Sequence, residues 1–358
     1  MHSEGLITTT AAGRAWHFSH GLGRPTNEHN GKTGGYRYPV SLAVAPDDIL
    51  FVLSRGTGWA RGSGSLTDHG RIGKTTLDEE HLGDFARQDF TWPACIARAQ
   101  DGNLYVSDEY ENTISWYDPG AVQPYPEYDP NGEQLGKWGT KGSGVGQLDG
   151  PTGLAFDAND DFYVADSRND RVQKFIKDGT FLLAWGSPGS ADGQFSRPWG
   201  LTIDREGNVY VADWGNSRVQ KFSADGVHLL TFGADRGTGA ELDHPADVAV
   251  DSQGDVYVTD WGNRRVQIYD AGGDVLAALY GDAVELSKAG EYIMHRDPET
   301  IRAFRQVKDT RSMGRFQRPI GIEVDDQDRV IVTDACGRLQ VYRKESTFVE
   351  PELKLELE

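Results

Sequence analysis

Phe162-Tyr-Val-Ala-Asp166 and, three residues on, Asn169-Asp-Arg-Val-Gln-Lys-Phe175 return 47 residues later as Val209-Tyr-Val-Ala-Asp213 with Asn216-Ser-Arg-Val-Gln-Lys-Phe222. They return again as Val256-Tyr-Val-Thr-Asp260 with Asn263-Arg-Arg-Val-Gln-Ile268. A proline opens each copy (Pro151, Pro198 and Pro245), and degenerate copies open at Pro39, Pro93 and Pro319. The six prolines are 54, 58, 47, 47 and 74 residues apart, so the unit is about 47 residues, with insertions in three copies. Self-similarity at such a period marks a repeat architecture in which each unit buries its apolar face against the next.

Within a unit the pattern predicts four short strands. Gly153-Leu-Ala-Phe156 is strand a, and Phe162 to Ala165 is strand b, after a Gly/Asn hairpin such as Arg205-Glu-Gly-Asn208. Arg171 to Phe175 alternates as a half-exposed strand c, and Phe181 to Trp185 is strand d after Asp178-Gly179. Four antiparallel strands repeated six times, with no helical period inside the unit, predict an all-β, six-bladed β-propeller spanning 1–349. Only 39 residues follow Pro319, too few for a unit, so the ring is expected to close with an N-terminal strand in Gly13 to Gly23 as the outer strand of the last blade. Thr347-Phe348-Val349 is the rival for that place. The 281–316 segment is expected to form a helical insertion between blades five and six, and 350–358 a flexible acidic tail.

The 36 Lys+Arg against 55 Asp+Glu give a net charge of −19, which argues against nucleic acid, since phosphate binding needs a basic footprint. No apolar run is long enough to span a bilayer. Hydrophobic residues make up 37% of the chain, enough for a packed core. The first residues lack a basic-then-apolar leader, and two cysteines form no disulfide framework, so a cytoplasmic protein is expected.

The repeat, with its Pro-x-Gly-Leu-Ala, Tyr-Val-Ala-Asp, Asn-x-Arg-Val-Gln-Lys-Phe and Asp-Gly segments, resembles the NHL repeat over Pro39 to about Tyr342. The resemblance implies a propeller. It leaves function open, because similar propellers serve as protein scaffolds, RNA binders and enzymes.

In an up-and-down blade the b–c and d–a connections share one end, here called the top. Three insertions fall there, at 55–70, 20–38 and 281–316, converging over blades six and one. Loops on a rigid scaffold carry function, so a site at the top of the channel is expected beneath them. The alternative is that insertions gather wherever loops tolerate them. Residues flanking the prolines and following the motif aspartates should ring the mouth. Tyr38, Arg55, Trp92, Arg197, Trp199 and Arg318 are the candidate ligand-binding residues, since arginine forks suit carboxylate or phosphate and aromatic walls suit a planar body. A small anionic or aromatic ligand is the expected partner, with a protein partner as the alternative. Trp214 and Trp261, in repeated Asp-Trp-Gly-Asn turns, read more readily as lateral packing.

His244 and Asp247 are the candidate catalytic pair for proton transfer. His20, His29, His244 and His295 all fall in the expected top connections, and His20, His244 and His295 would hold a divalent metal, zinc or calcium, against the plainer reading of solvated loop histidines. The chain also resembles the peptidyl-hydroxyglycine amidating lyases, whose metal-binding histidine directly follows the strand-a proline. Here those places hold Val40, Ala94, Thr152, Trp199, Ala246 and Ile320, so that chemistry is not carried over. Arg98 and Glu323 stand inside strand a where the repeat is apolar. An inter-blade ion pair or a water cluster is the favoured reading, and a polar channel the other. Two functional classes follow: a lyase or hydrolase acting on a small molecule, metal-assisted or not, or a non-catalytic scaffold whose top face binds a protein or peptide.

Overall fold

In a computed structural model, residues 6–23, 36–56, 70–86, 89–121, 133–233, 241–283, 287–288, 291 and 314–349 are described. Five four-stranded antiparallel sheets and one of five strands form the blades. Blade one is β3 (Pro39–Ala45), β4 (Ile49–Ser54), β5 (Arg71–Thr76) and β6 (His81–Phe85); blade two is β7 (Pro93–Arg98), β8 (Leu104–Asp108), β9 (Thr113–Asp118) and β10 (Glu133–Trp138). Blade three is β11 (Pro151–Phe156), β12 (Phe162–Asp166), β13 (Arg171–Phe175) and β14 (Phe181–Trp185); blade four is β15 (Pro198–Ile203), β16 (Val209–Asp213), β17 (Arg218–Phe222) and β18 (His228–Phe232). Blade five is β19 (Pro245–Val250), β20 (Val256–Asp260), β21 (Arg265–Tyr269) and β22 (Val275–Leu279).

Blade six combines both ends of the chain. β23 (Pro319–Val324), β24 (Arg329–Asp334) and β25 (Arg338–Glu345) are completed by β2 (Arg14–Gly23) and, beyond it, β1 (Leu6–Ala11). The N-terminal closure expected from Gly13 to Gly23 is therefore present, and the last blade gains a fifth strand. The rival segment 347–349 adds no strand, although Phe348 N–H donates to Gly13 O at 2.8 Å. The helix expected in 281–316 is not borne out, and most of that insertion lies outside the described residues. Its Ser287 hydroxyl donates to Gly23 O and Lys288 Nζ to Asp78 O, on the outer seam between blades six and one. Among the described residues no helix is long and apolar enough to cross a membrane.

The repeated polar residues hold the corners of blades three and four. Asp213, fully buried, accepts from Ser196 N–H at 2.8 Å, Asn216 Nδ2 at 2.9 Å, Arg218 Nε at 2.8 Å and Gln220 Nε2 at 3.1 Å. Asp166 repeats the set with Asp149 N–H, Asn169, Arg171 and Gln173. One carboxylate thus fixes the d–a connection, the b–c loop and strand c together, which is why Asp, Asn, Arg and Gln recur at fixed spacing. Burial pushes both carboxyls above their usual range, against the pull of these donors. Aliphatic and aromatic residues of strands a to c fill the spaces between blades, as where Tyr163, Val172, Phe195 and Phe222 pack with Leu201.

The inner strands approach closely at the second residue after each proline. A Cβ on Gly153 would lie 2.6 Å from Trp199 O in the next blade, and one on Gly321 would lie 2.8 Å from Val40 O, across the closure. At the other three such places the side chain ties the blades instead. Ser41 Oγ accepts from Ile96 N–H at 3.2 Å, Cys95 Sγ from Leu154 N–H at 3.4 Å, and Asp247 Oδ2 from Ile322 N–H at 3.1 Å. Gly200 is the third glycine at such a place, its missing Cβ occupied by the Asp247 carboxylate.

Candidate functional site

At the top, among the residues before the prolines, the carbonyls of Tyr38, Trp92, Gly150 and Arg318 accept from the loop after the motif position of their own blade, while Arg197 N–H and His244 N–H donate to Asp170 and Ser217 of the preceding blade. Gly150 holds this pre-proline place in the left-handed region at φ +64°; Tyr38, Arg197 and His244 adopt it with side chains, at φ 49°, 52° and 54°. Such a conformation costs an L-residue roughly 1 kcal/mol.

His244 is the chemically distinctive member. Its half-exposed imidazole lies 4.2 Å, centroid to centroid, from Trp214 of blade four and 6.5 Å from Trp261 of blade five. Nδ1 meets Asp243 Oδ1 at 2.5 Å, and among the described residues Nε2 has no partner. A carboxylate on Nδ1 selects the tautomer that leaves the Nε2 lone pair open, as a general base requires. Trp214 and Trp261 both contact this histidine, so their rings do more than pack laterally. The guanidinium of Arg318 lies 5.9 Å from the Trp261 ring centroid.

Asp247 is elsewhere. Pro245 begins β19, and Asp247 faces the tunnel, its Oδ1 accepting from Val248 N–H at 3.0 Å and its Oδ2 bonded to Ile322. The structure therefore does not join His244 and Asp247 as a pair. The acidic partner is Asp243, which sequence reasoning missed. Its adjacency to His244 was a signal, but only the left-handed turn before Pro245 brings the two side chains together.

The other candidates separate into two groups. Arg55 is occupied: its Nε donates to Pro93 O at 3.0 Å, its guanidinium stacks 4.5 Å over Trp92, and burial pushes it down to about 10, still cationic at neutral pH. Trp199 is half-buried, its carbonyl accepting from Thr152 Oγ1 at 2.8 Å. Tyr38, Arg197 and Arg318 are exposed, and Arg197 and Arg318 have no carboxylate partner among the described residues. Arg171, Arg218 and Arg265 each hold a motif aspartate. The 55–70, 20–38 and 281–316 loops fall largely outside the described residues.

His20 is a correction. It lies within β2 rather than in a top connection, with Nε2 at 2.7 Å from Leu77 O and Nδ1 at 2.9 Å from Ser19 Oγ. It is not joined to His244. His29 and His295 lie outside the described residues, and among the described residues no group of three or more His, Cys, Asp or Glu is placed to hold a metal ion. Burial pushes the Cys95 and Cys336 thiols up to about 12, so neither is a thiolate nucleophile at neutral pH.

The inner strands line a cavity of about 230 Å³. Ser41, Cys95, Arg98, Thr202, Asp247 and Glu323 supply its polar wall. Arg98 and Glu323 do not pair: blade one lies between their strands, and neither makes an ion pair or hydrogen bond among the described residues. Both line the cavity, and the ion-pair reading does not hold for them. Burial, with Asp247 and Asp325 nearby, pushes Glu323 up to about 8, and burial pushes Asp247 up to about 7 despite two amide donors.

The family described as NHL repeat matches residues 148–175, 195–222 and 242–269, within blades three to five. No curated protein matches the chain in sequence. Among solved structures, a protein of unknown function from Bacteroides thetaiotaomicron VPI-5482 is 17% identical with a TM-score of 0.62, over 93% of this chain and 76% of that one. Virginiamycin B lyase from Staphylococcus aureus is 12% identical with a TM-score of 0.55, over 92% and 99%. A catalytically inactive histidine-to-alanine variant of that lyase, with quinupristin, is 14% identical with a TM-score of 0.50, over 95% and 94%. At these identities the likeness is one of fold. The chain is a six-bladed β-propeller that carries three NHL repeats, in blades three to five.

Proposed function

We propose that the protein is a lyase or hydrolase acting on a small anionic, aromatic substrate at the top face, with His244 as the acid–base group and Asp243 orienting it. The observation that carries this reading is the 2.5 Å contact of His244 Nδ1 with Asp243, which leaves Nε2 open between Trp214 and Trp261. Nε2 takes a proton from the substrate or from an attacking water. The imidazolium so formed is stabilised by the Asp243 carboxylate. The indoles beside His244 offer aromatic faces to a flat body, and Arg318, with the exposed Arg197, offers charge to an acid group. The loss of activity in the inactive lyase variant, which lacks one histidine, is consistent with histidine chemistry on this fold.

The test is a panel of aryl-carboxylate esters and β-acyloxy carboxylates, incubated in H₂¹⁸O and followed by mass spectrometry. Turnover is expected, reduced about 10²-fold or more in His244→Ala. Incorporated ¹⁸O marks hydrolysis, and its absence marks elimination. Turnover that persists unchanged in His244→Ala overturns the assignment.

A second reading, a non-catalytic scaffold for an acidic peptide, is favoured by the exposed, carboxylate-free Arg197 and Arg318 on so acidic a chain. Under it, Arg197→Ala and Arg318→Ala abolish binding of a poly-glutamate peptide, His244→Ala leaves it intact, and no panel compound is turned over.

A further inference from the structure

The tunnel cavity is separate from the top face. Its wall comes from residues two to five places after the inner-strand prolines, and on the top side four of the six residues that follow those prolines, Val40, Ala94, Thr152 and Ala246, are packed at 5% exposed or less, with Trp199 and Ile320 half-buried. Toward the a–b hairpins the wall opens, for Val44, Arg98, Phe156 and Ile203 are each partly exposed. Entry is therefore from the face opposite His244.

The charges in this cavity are uncompensated and arranged by depth. Asp247 and Glu323, two and four places below their prolines on adjacent blades, form the inner, acidic part. Arg98, five places below Pro93 on β7, lies nearer the hairpin end, where its Nη2 would be 3.4 Å from a Cβ on Gly102 of its own turn. A cavity of about 230 Å³ is smaller than the roughly 300–1,000 Å³ of sites for drug-sized ligands. We propose that this cavity is a second binding site, for a small zwitterion that enters from the hairpin face, its ammonium seated at Glu323 and Asp247 and its acid group at Arg98. A lone cation would leave Arg98 unanswered and a lone anion would oppose two carboxyls, whereas a molecule carrying both charges answers every ionisable side chain in the wall except the neutral Cys95 thiol.

The groups facing the two carboxyls are each other, Cys95 from β7, Asp325 from β23 and Arg98 across the cavity. With Glu323 near 8, an ammonium ligand binds the ionised form and releases a proton, so affinity rises with pH. If only ionised Glu323 binds, the competent fraction grows roughly 90-fold between pH 6 and pH 9.

The experiment is calorimetric titration of the intact protein with β-alanine, 4-aminobutanoate and 6-aminohexanoate, and separately with butylamine, butanoate and calcium chloride, at pH 6 and pH 9. One amino acid of the series is expected to bind at least tenfold more tightly at pH 9. Binding is expected to be lost in Glu323→Ala and Arg98→Phe, which install the residues that blade three carries at those places, Ala155 and Phe156, and so keep the fold. His244→Ala is expected to bind normally, separating this site from the top face. The proposal is overturned if no amino acid binds, if butylamine, butanoate or calcium binds as tightly as the best amino acid, or if binding survives both variants.

Discussion

Replacing Lys344 by Met should loosen the seam between blades five and six, to which the closing strand β2 is also tied. Lys344 lies on β25 with its side chain fully buried, and Nζ contacts Asp251 Oδ2 at 2.5 Å and Asp255 Oδ2 at 2.7 Å, both carboxylates equally buried in the a–b turn of blade five. Arg14, from the closing strand β2, meets Asp255 at 2.8 Å, and Trp16 Nε1 donates to Tyr257 OH, which in turn donates to Asp251 at 2.8 Å. Removing one partner of a buried ion pair costs about 3–5 kcal/mol, mostly because the other charge is left buried and unpaired. Two carboxylates are stranded here, but Arg14 still answers one, so the lower end, about 3 kcal/mol, is expected. Urea denaturation followed by tryptophan fluorescence reads the loss. Asp251→Asn added to Lys344→Met should recover about 1 kcal/mol or more, since the pair is removed together. A loss under 1 kcal/mol in the single variant, or strict additivity in the double, would refute the reasoning that this buried network holds blade six and its closing strand to blade five.

Asp213→Ala should cost about 3 kcal/mol or more in the same assay, because Arg218 loses its buried carboxylate and Ser196 N–H its acceptor. Stability should also fall as pH rises from about 4 to 8. Asp247 and Glu323 hold protons in the folded state up to about 7 and 8, whereas in the unfolded chain they release them near 4, so the folded state binds more protons throughout that window. Denaturation midpoints from pH 5 to pH 9 check this, and Glu323→Gln should flatten the profile. His244→Gly removes a side chain held at φ +54°, so stability should stay level or rise by up to about 1 kcal/mol while turnover of the aryl-ester panel is lost.

Repetition made the fold legible. The same Asp, Asn, Arg and Gln recur because one buried carboxylate must gather them in each corner, and Gly13 to Gly23 could be recognised as strand d because closure demanded one. β1 was not foreseen, although its β-branched Ile7 to Thr10 and the Ala12-Gly13 turn, both at positive φ, are hairpin chemistry. The candidate site was legible only in part. His244 was singled out, but its acid was sought at Asp247, beyond a proline that sends the chain into the tunnel. Arg98 and Glu323 were visible as charges in apolar strands, yet whether they meet depends on the number of blades between them, which spacing along one strand does not encode. Convergence of the top loops rests on segments outside the described residues.

The most direct test of the acid–base assignment is a long-range ¹H–¹⁵N correlation spectrum of the His244 ring in protein with ¹⁵N-labelled histidine, assigned by its loss in His244→Ala. The ring proton is expected on Nδ1, facing Asp243, with Nε2 an unprotonated acceptor at pH 8, and Asp243→Asn should shift the population away from that tautomer. A ring protonated on Nε2 in the unaltered protein would contradict the account, because the nitrogen open to substrate would then have no lone pair with which to take its proton.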